Sequence, residues 1–220
     1  DERVAQFSQL PEPTEPQDYH LTSAIISNLQ QHEYADAYWK VKDYIREGDC
    51  YQVNLAQRFT AGITGDPWAL YQSLRLINSG PFSAYLKFPF AEVLSCSPER
   101  FLRVVDRQVQ TEPIKGTRPR RQDPVEDQAA KQDLSDSAKD RAENLMIVDL
   151  MRNDLGKSCA IGSIEVPELF TVKSFPAVHH MISTITGILG EGKDTLDLLR
   201  GCIPGGSITG APKLRAMEII

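Results

Sequence analysis

Apolar positions recur with two different periods along this chain, and they change between them often. Tyr34, Tyr38, Val41 and Ile45 return at helical spacing, which predicts a helix over 33–47 closed by Gly48. Tyr51, Val53 and Leu55 then alternate with Gln52, Asn54 and Ala56, the period of a half-buried strand. Asp66-Pro67 reads as a helix cap followed by proline at the first helical position, opening a helix that runs to Arg75. Strands are predicted at 82–88 and 92–97, and a hairpin at 101–105 and 108–112 turning on Asp106-Arg107. The stretch 117–123 is basic and contains proline, so it is expected to be exposed. Asp123-Pro124-Val125-Glu126 resembles a capping box with proline just inside it. From there to Arg152 no glycine or proline intervenes, which predicts one long helix. Beyond it, 163–172 and 177–189 carry the β-branched residues of strands, 195–201 is a short helix, and a further helix starts near Pro212.

Helices and strands are interspersed without a regular βαβ rhythm, so the expected class is α+β. Residues 1–20 are polar and hold Pro11, Pro13 and Pro16, which reads as a flexible linker or loop before a single domain over 21–220. The last residues, from Leu214 to Ile220, look like the first turns of an apolar helix, which suggests a piece of a longer protein.

Composition narrows the partners. The 220 residues are 41% hydrophobic and 25% charged, with a net charge of −6. An acidic surface argues against nucleic acid, whose phosphates want a basic one. No stretch approaches the roughly 20 apolar residues that cross a bilayer, so no membrane association is expected. Cys50, Cys96, Cys159 and Cys202 are scattered and form no CxxC pair, which fits reduced thiols and a cytoplasmic location.

Several residues could carry chemistry. Lys115 sits in Pro113-Ile114-Lys115-Gly116-Thr117 after a predicted strand. A cramped, partly desolvated lysine there can act as a nucleophile, and the competing reading is a surface lysine at a strand end. Glu99, in Ser97-Pro98-Glu99-Arg100-Phe101, can serve as a general acid or simply pair with Arg100 or Arg103. Glu143 shares a helix face with Ile147 and Leu150, where a metal is one possible partner and Lys139 another. Asp149 and Asp154 read as caps or ion pairs. His179 and His180 are strand neighbours and point to opposite faces, so they cannot share a site. The glycine-rich run 204–213 offers backbone N–H groups for an anion but lacks P-loop spacing.

Taken together, PIKGT, SPERF, the helix segment from Arg141 to Asp154 and PGGSITGAPK resemble the chorismate-binding enzymes. Within them the chain is most similar to the aminodeoxychorismate synthase component I branch of folate and 4-aminobenzoate biosynthesis. Anthranilate synthases of the superfamily usually carry alanine where this chain has Lys115. Isochorismate and salicylate synthases place a lysine where it has Gln52.

The resemblance implies a two-sheet β-sandwich with helices packed outside, truncated here at both ends. It implies Lys115 as covalent nucleophile, Glu99 as general acid, and Gly116, Thr117, His180, Ser207 and Thr209 as substrate contacts. It also implies Mg2+ held through Glu143, and part of a tryptophan pocket at Pro81, Phe82 and Ser83. The implied partners are chorismate, ammonia from a glutamine amidotransferase subunit in a heterodimer, and L-tryptophan as a bound ligand. An isolated 220-residue piece is expected to be inactive or nearly so. Anthranilate synthesis, or a non-catalytic role for such a piece, is the alternative.

Overall fold

Antiparallel ladders dominate the computed structural model, which describes residues 19–78 and 80–220. In chain order the elements are β1 (His20–Leu21), β2 (Ile26–Ser27), α1 (Gln31–Glu47), β3 (Gln52–Val53), β4 (Phe59–Thr60), β5 (Ile63–Thr64) and α2 (Pro67–Ile77). There follow β6 (Phe82–Lys87), β7 (Glu92–Ser97), β8 (Arg100–Val105), β9 (Gln108–Glu112), β10 (Ile114–Pro119), α3 (Pro124–Asp136) and α4 (Ala138–Gly156). The chain ends with β11 (Glu165–Ser174), β12 (Val178–Ile188), α5 (Thr195–Cys202), β13 (Gly210–Ala211) and α6 (Lys213–Ile219). The fold is α+β, and it divides into two units. Of the described residues, one unit comprises those up to Leu29 with those of 57–98, and the other Gln30–Ala56 with Glu99–Ile220.

In the first unit β1 pairs with β5 and β2 with β4, and β6 and β7 form a hairpin from Phe82↔Ser97 to Lys87↔Glu92. Helix α2 starts as the sequence predicts, with the Asp66 carboxylate accepting from Trp68 N. It packs on β6 and β7, bringing the rings of Trp68, Tyr71 and Tyr85 within 5.6 Å of one another.

The second unit is built on a five-stranded sheet. Strand β12 pairs with β11, β10 and β9, and β8 lies outside β9. The β8–β9 hairpin turns at Asp106-Arg107, both in the left-handed region. Helix α4 lies on β10 and β12 and buries Ile147, Val148, Met151 and Leu155 against Val109, Ile185, Leu189 and Leu198. Each such side chain contributes about 1.5–3 kcal/mol of transfer free energy.

Two expectations need correction. The long helix is two: Ser137 leaves helical geometry at ψ 104, and its hydroxyl accepts from Asp140 N, so it caps α4 where α3 ends. The strand expected from the alternation over 51–56 contracts to Gln52–Val53, because its ladder partner β13 is itself only two residues long. The basic stretch 117–123 is exposed as expected except at Arg118, which is half-buried and ion-paired to Asp133 and Asp140, and its first three residues end β10. Of the expected linker, residues 1–18 lie outside the described residues, and His20 pairs with Thr64.

Candidate active site

Lys115 owes its position to Gly116. The register of β10 against β12 shifts between Ile114 and Thr117, and Gly116 lies in this bulge with φ +86. A Cβ there would come within 2.9 Å of Leu134 Cδ1 and Asp140 Cβ. The lysine before it is 14% exposed. Its Nζ lies 3.6 Å from Glu143 Oε1 on α4 and donates to the Ser207 carbonyl at 3.4 Å. The reading as a plain surface lysine does not describe this side chain.

Ser207 belongs to a 3-10 turn, Gly206–Ile208, inside the glycine-rich run. Its hydroxyl donates to Glu99 Oε1 at 2.5 Å, and Ile114 N donates to Glu99 Oε2 at 3.3 Å. A hydroxyl both donates and accepts, so Ser207 can hold this carboxyl in either protonation state. Lys115 and Glu99 therefore converge on one residue, the first by its carbonyl and the second by its hydroxyl. Arg100, the alternative partner of Glu99, places its Nε 2.6 Å from Glu112.

Glu143 is 33% exposed on its side chain and accepts from Gln52 Nε2 at 3.2 Å. It therefore faces polar groups, and the apolar environment expected from Ile147 and Leu150 does not enclose it. Gln52 Oε1 is buried with no hydrogen-bond partner among the described residues. Thr117 and His180 are cross-strand neighbours, with Oγ1 and Nδ1 2.9 Å apart. Burial holds the His180 imidazole below its usual 6.5, partly offset by a backbone hydrogen bond to Gly116. His179 faces elsewhere, between Ser174 and Asp127. The opposite-face argument thus describes the pair.

Thr209 has a different place from the one expected. Its hydroxyl is turned inward, donating to the Gly205 carbonyl at 3.0 Å, and the residue is 6% exposed. It shapes the turn that presents Ser207. Asn54 was not singled out in the sequence, yet its Nδ2 donates to the Ser207 carbonyl and its backbone N to the Thr209 carbonyl. The alternation of 51–55, with Gln52 and Asn54 on one face, was the available signal. Gly210 permits this docking: a Cβ there would lie 2.1 Å from Gln52 O. In the other unit, Pro81 and Ser83 line a cavity of about 530 Å³ with Trp68, Tyr71, Arg75 and Tyr85, while Phe82 pairs with Ser97 in the hairpin.

Residues 1–220 match the family profile described as chorismate binding enzyme. The chain belongs to this family. Aminodeoxychorismate synthase component 1 of Escherichia coli K12 is 55% identical over 204 residues, covering 93% of this chain and 45% of that protein. Anthranilate synthase component 1 of Methanothermobacter marburgensis is 44% identical, covering 87% and 42%. The crystal structure of anthranilate synthase component I from Streptococcus pneumoniae superposes with TM-score 0.80 at 31% identity, over 100% of this chain and 48% of that one. The chain thus spans about half the length of the relatives it matches. Among the described residues no helix is long and apolar enough to cross a membrane, and the four cysteines are free.

Proposed function

We propose that this chain is the part of an aminodeoxychorismate synthase component I that holds the nucleophile and the general acid. The reaction converts chorismate and ammonia into 4-amino-4-deoxychorismate and water. The observation that carries this reading is the convergence of Lys115 and Glu99 on Ser207. Glu99 gives its proton to the departing ring hydroxyl, which leaves as water. The Lys115 amine, having lost its own proton, forms a C–N bond at the conjugated ring carbon as the double bond shifts. Ammonia then bonds to the carbon that lost the hydroxyl and expels the lysine. Splitting one hard displacement into two easier ones is what a covalent route supplies. Gly116, Thr117, His180 and Ser207 line the substrate's place in this reading.

Mg2+ fits Glu143 in donor chemistry: a partly exposed carboxylate beside the nucleophile is one hard oxygen ligand. Among the described residues no group of three or more His, Cys, Asp and Glu could hold a metal, so remaining ligands would come from substrate and elsewhere in the protein. When bound, the ion would neutralise a substrate carboxylate and fix its orientation. The cavity beside Pro81 and Ser83 is the proposed place for L-tryptophan. Ammonia is proposed to come from a glutamine amidotransferase partner in the cytoplasm, and the 220 residues alone are proposed to be inactive.

Anthranilate synthase is the second reading, favoured by relatives of that name at 44% identity, and Lys115 in place of the usual alanine weighs against it. Mass spectrometry of the full-length protein incubated with chorismate and Mg2+ should find added mass on the peptide containing Lys115, absent from Lys115→Ala. A product assay with ammonia should show aminodeoxychorismate and no fluorescent anthranilate. Retention of the adduct in Lys115→Ala, or anthranilate as product, refutes the assignment.

A further inference from the structure

The run from Pro204 to Lys213 both starts and ends at one buried ammonium group. Lys213 Nζ donates to Asp154 Oδ2, to the Pro204 carbonyl at 2.8 Å and to the Cys202 carbonyl at 3.3 Å. Three donors meet three acceptors, which completes what an ammonium can make. The side chains are buried, Lys213 at 9% and Asp154 at 1% exposure. Cys202 is the last residue of α5, so its carbonyl is one that the helix itself leaves unpaired. Lys213 therefore closes the run on itself, joins it to the end of α5, and anchors both to α4 through Asp154.

Inside that closed loop lies Ser207, with its hydroxyl on Glu99 and its carbonyl receiving Lys115 and Asn54. A misplacement of about 1 Å of a reacting group can cost about 100-fold in rate. We infer that Lys213, held by Asp154, is a positioning residue that sets Ser207 and, through it, the general acid and the nucleophile. This rests on the reaction proposed above. Lys213 contacts neither group itself, so its effect is expected in turnover more than in substrate affinity. Lys157 supplies a control: it also binds Asp154, at 2.9 Å, but reaches the Gly201 carbonyl and is 49% exposed.

The test uses the full-length protein with three variants, Lys213→Met, Lys213→Met/Asp154→Asn and Lys157→Met. Expected is a fall in kcat of about 10- to 100-fold in Lys213→Met, with the chorismate KM within about 3-fold and Lys157→Met near wild type. Removing Lys213 alone leaves the buried Asp154 carboxylate with the half-exposed Lys157 as its remaining ion-pair partner, and lowers the melting temperature. The double variant should regain much of that stability but not the turnover. Amide exchange at Ile208 and Thr209 should quicken about 10-fold or more in both Lys213 variants. Recovery of kcat together with stability in the double variant, or unchanged exchange in the loop, overturns the positioning role. Loop exchange that still depends on Lys213, in a wild type making no aminodeoxychorismate, would instead leave the clasp standing and overturn the assigned reaction.

Discussion

Replacing Gly116 by alanine tests whether the bulge beside Lys115 is as tightly enclosed as its geometry indicates. At φ +86 a non-glycine residue pays about 1–2 kcal/mol for the left-handed conformation. The added Cβ would also sit 2.9 Å from both Leu134 Cδ1 and Asp140 Cβ. Leu134 is fully buried and cannot swing into solvent, so overpacking of about 1–3 kcal/mol is added. The sum is about 2–5 kcal/mol, or a fall in Tm of about 4–20 °C for a domain of this size. Gly192 separates the two contributions, since it has φ +71 and nothing within 4 Å of a built Cβ. Gly192→Ala should show only the conformational cost, about 1–2 kcal/mol. Thermal melts of the two full-length variants, followed by circular dichroism, give the difference directly. Gly116→Ala should also lose covalent labelling of Lys115, because relief of the clash moves the bulge. Equal melting temperatures for the two variants, with labelling intact in Gly116→Ala, would refute the enclosure.

His180 should make the folded state sensitive to mild acid. Its ring stays neutral in the folded chain below the usual 6.5, so the unfolded chain binds more protons there. Stability is then complete above 6.5 and drains as pH falls through that value toward the lower folded one. His180→Gln should lessen the loss of Tm between about pH 7 and pH 5, and an unchanged pH slope would remove His180 as its source. Asp127 also loses its stabilisation in acid, but at lower pH. Hydrogen bonds from Arg120 first, then from Arg121 N, hold its carboxyl well below the usual 3.8. Its stabilisation is present above 3.8 and is lost as pH falls below it. Asp127→Asn should melt lower than wild type at neutral pH, with the gap closing in acid, and a gap independent of pH would count against the ion pair.

The sequence made the elements legible where local chemistry decides them. Asp66-Pro67 and Asp123-Pro124 place their helices because cap and fixed φ act within one turn. Lys115, Glu99 and Glu143 were singled out through motifs, and the structure adds that the first two meet at Ser207. Less visible were features settled by tertiary partners. Nothing local to 124–152 announced a break at Ser137, since a serine mid-helix and a serine cap read alike until the chain must turn. Likewise Gln52 and Asn54 are ordinary alternating polar residues until β13 pairs with β3 and turns them toward Glu143 and Ser207.

The glycine-rich run shows why the two kinds of legibility differ. Its glycines suggested a backbone cradle for an anion, yet the turn presents a hydroxyl and a carbonyl of Ser207 to two other side chains. What fixes that presentation is Lys213, whose partner Asp154 lies 59 residues earlier in the chain. A pattern of spacing carries no information about a contact of that range. The pairing is visible only because a buried charge must find its complement, and here the complement closes the run that carries Ser207.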